Sequence, residues 1–375
     1  MTDEGSPPPS DEKKTPPVKA KSLGEKKSPA LKVSSLAKGD KRLMLLISFF
    51  GAITFLAGLI LTAYAFLNYR YEAKPKDEGR EVVFEIPRGS GLSSIATRLE
   101  KENLIKSASL FKLITKLRGN ERNFKAGEFQ ITYPASMAQI YETLSEGQAI
   151  LYPFTVPEGL TSAQILRKMS GQKTLVQDDV ALPKEGSLLP ETYMLPRGMK
   201  KSDLIKQMKK AQFDVLNELW DSRDENLPIK SKAEAVILAS VVEKETGVSS
   251  ERDVVAGVFI NRLRKGMRLQ SDPTIIYGVS KGEILLNKKG KQRGIRRSEI
   301  DKKTDWNTYQ IDGLPKTPIC NPGKDAIAAV LKPAQTEFLF FVADGTGGHV
   351  FAKTVRDHNN NVNKWRKIER KRRQK

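Results

Sequence analysis

Between Arg42 and Arg70 the chain carries no charged side chain, and the whole of Leu43–Tyr69 is apolar or weakly polar. A stretch of this kind exceeds the roughly 20 residues a helix needs to cross a bilayer. It is too long and too far from the start for a signal peptide, and no small-residue cleavage site follows it. It therefore reads as a single membrane-spanning helix. Lys38, Lys41 and Arg42 precede it, and the positive-inside rule puts that side in the cytoplasm, against a weaker contribution from Arg70 and Lys74. All that follows is then expected outside the cytoplasm. Residues 1–42 are rich in Pro, Ser and Lys and read as a disordered basic tail.

The remaining composition narrows the chemistry. Apolar residues make up 39% of 375 positions, enough for real cores. Much of the formal net charge of +20 lies in the two ends, and it suits anionic lipid or an anionic polymer. No nucleic-acid motif accompanies it, so nucleic acid is not the expected partner. A single cysteine, Cys320, excludes an intramolecular disulfide and a cysteine-built metal cluster, and two histidines exclude a His-rich zinc site. No cofactor or catalytic metal is expected.

The pattern predicts an α+β protein: a charged linker over 70–80, a small α+β domain over 81–150, a mixed α/β domain over 151–365 and a basic end over 366–375. Three strand–turn–helix units recur weakly. They begin at Phe84-Glu85-Ile86, Phe129-Gln130-Ile131 and Phe154-Thr155-Val156, and each is followed by apolar residues three and four apart. Such units resemble LysM-type modules, although any small α+β domain produces them. Gln148–Lys200 reads as a hinge and cross-over. Helices are predicted over Lys201–Leu219, with Phe213 toward a core, over Lys232–Thr246, over Ser250–Lys265 with Ser249 or Ser250 as its cap, over Lys324–Leu331 and over Arg356–Glu369. Lys281–Arg297 reads as a hairpin or flap. Phe338–Val342 and His349–Ala352 read as paired strands around a Gly-rich turn.

The most informative stretch is Ala233–Tyr277. Its apolar run ends in Glu243-Lys244-Glu245-Thr246. At about 100° per residue Glu245 falls beside Leu238, Val241 and Val242, whereas Glu243 points toward Val236 and Ala239. A carboxyl at the end of an apolar stripe is desolvated, which raises its pKa toward the range of a general acid. A helix ending in solvated charges is the plainer reading of the same residues.

Glu243–Thr246, Val258-Phe259-Ile260-Asn261-Arg262-Leu263, Met267–Tyr277, Asn307-Thr308-Tyr309, Gly313-Leu314-Pro315, Asn321-Pro322-Gly323 and Gly347–Phe351 together resemble the endolytic murein transglycosylase (YceG-like) family. The resemblance runs from about Phe84 to His358. It implies an inner-membrane enzyme with a periplasmic catalytic domain. The enzyme would cut nascent peptidoglycan strands between N-acetylmuramic acid and N-acetylglucosamine, leave a 1,6-anhydro end, limit strand length and work beside peptidoglycan synthases. It makes Glu245 the catalytic acid/base. The candidates for positioning substrate are Asn261, Gln270, Asp272, Thr274, Tyr277, Asn307 and Tyr309, each with an ordinary structural alternative. Glu243 is the rival acid, expected instead to pair with Arg262 or Arg268. Glu191, in Pro190-Glu191-Thr192-Tyr193, either faces a cleft or caps a turn. Two other readings stay open: a hydrolytic glycosidase in which Glu243 or Asp272 activates water, and a wall-binding scaffold without turnover.

Overall fold

The computed structural model describes residues 41–76, 78–120 and 123–373, and the basic tail read over 1–42 lies almost wholly outside them. The chain divides into two units, 1–66 and 67–375. In the first, helix α1 (Lys41–Glu72) begins. Its residues from Lys41 to Phe66 are all exposed, so none of the described residues covers this apolar surface. The helix is long and apolar enough to cross a membrane.

The second unit contains three hydrophobic cores. The first is built by β1 (Arg80–Ile86), α2 (Leu92–Lys101), α3 (Ala108–Leu117), β2 (Gly127–Tyr133) and α4 (Met137–Ser145). β1 and β2 are antiparallel with Phe84 opposite Phe129. Both rings are buried together with Ile95, Leu99, Phe111 and Ile140. Ser136 and Gln139 form a reciprocal capping box that starts α4. Tyr71, expected in the linker, is instead fully buried in this core and stacks on Phe111. The linker is correspondingly shorter.

The stretch expected to be a hinge, Gln148–Lys200, has a core of its own. It contains β3 (Leu151–Thr155), α5 (Ser162–Ser170), β4 (Leu175–Val176), β5 (Thr192–Pro196) and β6 (Met199–Lys200). β3 pairs antiparallel with β5, setting Phe154 opposite Tyr193, and β4 pairs parallel with β6. Leu204, Ile205 and Met208 of α6 (Lys201–Asp221) close it. Phe213 of α6 faces out, 65% exposed, while Gln212 is buried. The expectation for Phe213 therefore fails. Tyr152 Oη donates to Glu128 Oε2 at 2.5 Å and Arg197 pairs with the same carboxylate, joining β2 to the β3–β5 ribbon.

The third core surrounds α7 (Lys232–Glu245). Ser231 caps it by accepting the Glu234 N–H. Ala235, Leu238, Ala239, Val241 and Val242 are buried against α8 (Arg252–Arg264) and α11 (Lys324–Leu331). Between them lie α9 (Asp272–Ser280) and the single-turn α10 (Arg297–Ile300). α8 is entered through a 3-10 turn over Ser249–Glu251, and neither serine caps it by side chain, contrary to expectation. β7 (Phe340–Ala343) and β8 (His349–Ala352) form an antiparallel hairpin, and α12 (Val355–Arg373) follows. The strand expected over Phe338–Val342 is thus shifted toward Ala343.

Candidate active site

Glu245 is the last residue of α7, because Thr246 turns to extended backbone. The helical facing read from sequence holds: Leu238, Val241 and Val242 beside it are fully buried. The residue as a whole keeps some accessibility, but its carboxyl group is closely surrounded. Desolvation raises its pKa to about 7. The Ser271 hydroxyl opposes that shift, the charge of Asp272 adds to it, and the charge of Arg262 opposes it. At neutral pH this carboxyl is therefore present in both protonation states, as a group that must first give and then take a proton requires.

The residues around it come from one loop system. Gln270 has a positive φ of 51°, a strained conformation for a residue with a side chain. It is held there by its N–H to Thr308 O at 3.2 Å. Ser271 follows as the N-cap residue of α9 but does not cap by side chain. Its buried Oγ lacks a well-aligned hydrogen bond, and its pull on Glu245 marks the carboxyl as its neighbour. Ser271 N donates to Thr308 Oγ1 at 2.9 Å, the Thr274 and Thr308 hydroxyls lie 2.9 Å apart, and Thr274 Oγ1 donates to Ser271 O at 2.5 Å. Thr274 is thus fully spent on framing the turn that carries Ser271.

Asp272 Oδ1 accepts from Tyr309 Oη at 2.8 Å. Burial first, then Asp272, raises the Tyr309 pKa, so the phenol stays protonated and can donate. Asn307, buried, supports Tyr309 by accepting its N–H at 3.0 Å. Its Nδ2 donates to the carbonyls of Ile300 (2.9 Å) and Lys302 (2.7 Å). Arg262 is buried, with Nε on Leu339 O at 2.7 Å and Nη1 on Leu269 O at 2.6 Å. The structure thus gathers Glu245, Ser271, Asp272, Tyr309 and Arg262, with Thr274, Thr308 and Asn307 as frame. Asn261 stands apart: its Nδ2 ties down the carbonyls of Thr336 (2.7 Å) and Phe338 (3.1 Å).

Glu243 has a different occupation. Its Oε2 accepts the Gly323 N–H at 3.0 Å, at the start of α11. Burial raises its pKa, and its charged neighbours are Glu158, Arg252 and Lys244. The expected pairing with Arg262 or Arg268 is therefore corrected: Arg262 lies by Glu245, and Arg268 pairs with Asp312 at 2.9 Å. Glu191 is exposed, and its carbonyl accepts the Val156 N–H. Neither a cleft-facing nor a capping contact of its side chain is seen. Asn321 joins the second and third cores: Nδ2 donates to Leu160 O and Ser162 Oγ, both at 3.1 Å, and Oδ1 accepts from Leu188 N at 3.0 Å.

A cavity of about 610 Å³ lies alongside. Glu245 does not line it, but its neighbours Lys244 and Asp272 do, together with Tyr277. The Tyr277 ring meets Trp306 edge-on, with centroids 5.4 Å apart. The outer wall is the segment expected as a hairpin. Leu286 bridges Gln292, and Arg293 N donates to Leu285 O at 2.9 Å. Arg293 clamps Glu299 through both nitrogens at 2.8 and 2.6 Å, which brings the Glu299 pKa down to about 2. Ser271, Arg262 and Lys244 are the residues sequence reasoning missed. The signal for Ser271 was its place between two candidates, Gln270 and Asp272.

A serine, a second carboxylate and a phenol that donates to that carboxylate surround one desolvated helix-end carboxyl. Residues 84–364 match the YceG-like family, and the chain belongs to that family. It is 30% identical over 78% of its length to an endolytic murein transglycosylase of Bacillus subtilis, covering 87% of that protein. It is 29% identical over 83% of its length to an endolytic murein transglycosylase of Streptococcus pneumoniae, and spans 64% of that longer chain. A crystal structure of a yceG-like protein from Listeria monocytogenes aligns with 76% of this chain and 99% of that one, at 26% identity and a TM-score of 0.46.

Proposed function

We propose that this chain is a membrane-anchored lytic transglycosylase that cuts murein glycan strands internally. Glu245 acts as the single acid/base. It protonates the glycosidic oxygen as the bond to the anomeric carbon breaks. The resulting carboxylate then takes the proton of the same sugar's 6-hydroxyl as that oxygen closes on the anomeric carbon. The product is a 1,6-anhydro end, and no water is consumed. An internal nucleophile benefits from high effective molarity. Ser271 holds a donor beside the reacting group, Tyr309 fixes Asp272 next to it, and Arg262 steadies the carboxylate stage. The observation that carries this reading is the placing of Glu245 at the end of α7, against the buried Leu238, Val241 and Val242 and beside Ser271 and Asp272.

Helix α1 anchors the chain in the inner membrane with the N-terminal side cytoplasmic, and residues 81–150 contribute a LysM-like glycan contact. The reading is supported by the uncovered apolar helix and by the names of the relatives. One observation favours a hydrolytic alternative: Asp272 lies close enough to Glu245 to act on its charge, and a second carboxylate is what water activation needs. Purified protein and its Glu245→Gln variant, both incubated with murein, test the assignment. The expected result is cleavage by the first and none by the second, with both folded. Undiminished cleavage by Glu245→Gln would overturn it.

A further inference from the structure

The cavity beside Glu245 has the wrong lining for a sugar ring. Ile276, Ile284, Leu285, Ile295, Ile300 and Ile319 form one branched aliphatic side of its wall, together with a polar rim that includes Lys244, Asp272 and Arg293. Sugars are held by flat aromatic faces and by dense hydrogen bonding, whereas the apolar side of this wall is branched aliphatic. Its one phenol ring, Tyr277, is already engaged by Trp306 and by Lys281, whose Nζ lies 5.2 Å from the ring centre. Most of the charges at its rim are committed. Arg293 is clamped to Glu299, Glu283 is paired with Arg167, and Asp272 accepts from Tyr309. Lys244 is the exception. Its Nζ makes one hydrogen bond, to Gly159 O at 3.3 Å, and it forms no ion pair among the described residues. The volume of about 610 Å³ lies within the range of ligand-binding cavities.

Resting on the glycan-cleaving function proposed above, we infer that this cavity receives the peptide branch of the murein strand. The isoleucine wall would take its alkyl side chains, and Lys244 one of its carboxylates. The branch hangs from the lactyl group of the same N-acetylmuramic acid whose glycosidic bond is broken. It therefore leaves the sugar close to Glu245, and Asp272 ties the cavity that Lys244 lines to the Glu245 carboxyl, since it lines the one and acts on the other. The enzyme is then specific for strands that still carry their peptides, and strands stripped of them are poor substrates.

The test uses the full chain in detergent and two murein glycan preparations of equal length, one peptide-bearing and one stripped by an amidase. Wild-type protein is expected to show kcat/KM about tenfold higher on the peptide-bearing strands, the size of one exposed ion pair plus some apolar burial. Lys244→Met and Ile295→Ser should each bring that ratio toward one, through KM on the peptide-bearing strands. In a parallel binding arm, Glu245→Gln protein should retain peptide-bearing strands more tightly than stripped ones, and Lys244→Met in that background should remove the difference. Equal rates and equal retention for the two strands would overturn the peptide site while leaving glycan cleavage intact. Peptide-dependent retention without cleavage by wild-type protein would instead keep the site and overturn the proposed reaction.

Discussion

Glu245 and Glu243 are two residues apart and do different work because of where α7 ends. Glu243 reaches sideways to the Gly323 N–H. Glu245 sits at the end of the stripe formed by Leu238, Val241 and Val242, with Ser271 and Asp272 against it. Replacing Glu245 by Gln should lower turnover by about a hundred- to ten-thousand-fold without unfolding the protein. Glu243→Gln keeps an acceptor for Gly323 and should retain activity within about threefold, given that a neutral hydrogen bond is worth about 1 kcal/mol. The raised pKa of Glu245 has a consequence for stability as well. The folded protein binds a proton more tightly than the unfolded chain between about pH 4.5 and pH 7, so this group costs stability as pH rises through that window. Glu245→Gln should therefore be more stable than wild type at pH 8, by about 1–3 kcal/mol, with little difference at pH 4. Denaturant melts at the two pH values check this, and a variant less stable at pH 8 would contradict the burial of the carboxyl. Turnover itself should decline above about pH 7 as the acid form is lost.

At the scale of elements, the loops between helices carry the site, and their constraints are steric. Gly186, at a positive φ of 73°, has no room for a side chain: a Cβ there would come within 2.6 Å of Val236 on α7 and 2.7 Å of the Pro318 ring. Gly186→Ala should lower stability by about 1–3 kcal/mol, which a thermal melt would register as a clear fall in Tm. The 285–293 hairpin depends on the Arg293–Glu299 clamp. Arg293→Ala should make that segment the first site of limited proteolysis, and an unchanged cleavage pattern would show the clamp to be dispensable. The helices were readable in the sequence because a period of 3.6 is local information. Lys324–Leu331 and the facing of Glu245 in α7 are examples. What could not be read depends on partners far along the chain. Gln148–Lys200 looked like a hinge because β3 finds its partner in β5 across an intervening helix. Tyr71 looked like linker because the ring that covers it, Phe111, belongs to α3. Phe213 faces out and not toward a core because no sequence period distinguishes the inside of a helix from a patch left open. Ser271 escaped notice because its neighbours are set by the 270–309 loop system, which has no repeat to read, and the places of Arg262 and Lys244 depend on Leu339 and Gly159, also far along the chain.

For the whole molecule, an uncovered apolar helix precedes a unit in which three cores are tied by polar contacts: Glu128 between the first and second, Asn321 between the second and third. A reporter that is active only when exported, fused in the 73–80 segment, should be active, and activity of a cytoplasm-dependent reporter at that point would reverse the proposed orientation. The central claim concerns the bond that is broken and what closes on it. The most direct test is mass spectrometry of the new chain ends released when the purified full chain digests murein. Wild-type protein should release fragments ending in 1,6-anhydro-N-acetylmuramic acid from within the strands, and the Glu245→Gln protein none. New ends that are reducing sugars, one water heavier, would contradict the transglycosylase reading and leave a hydrolase in which a second carboxylate, Asp272 first among the candidates, activates water.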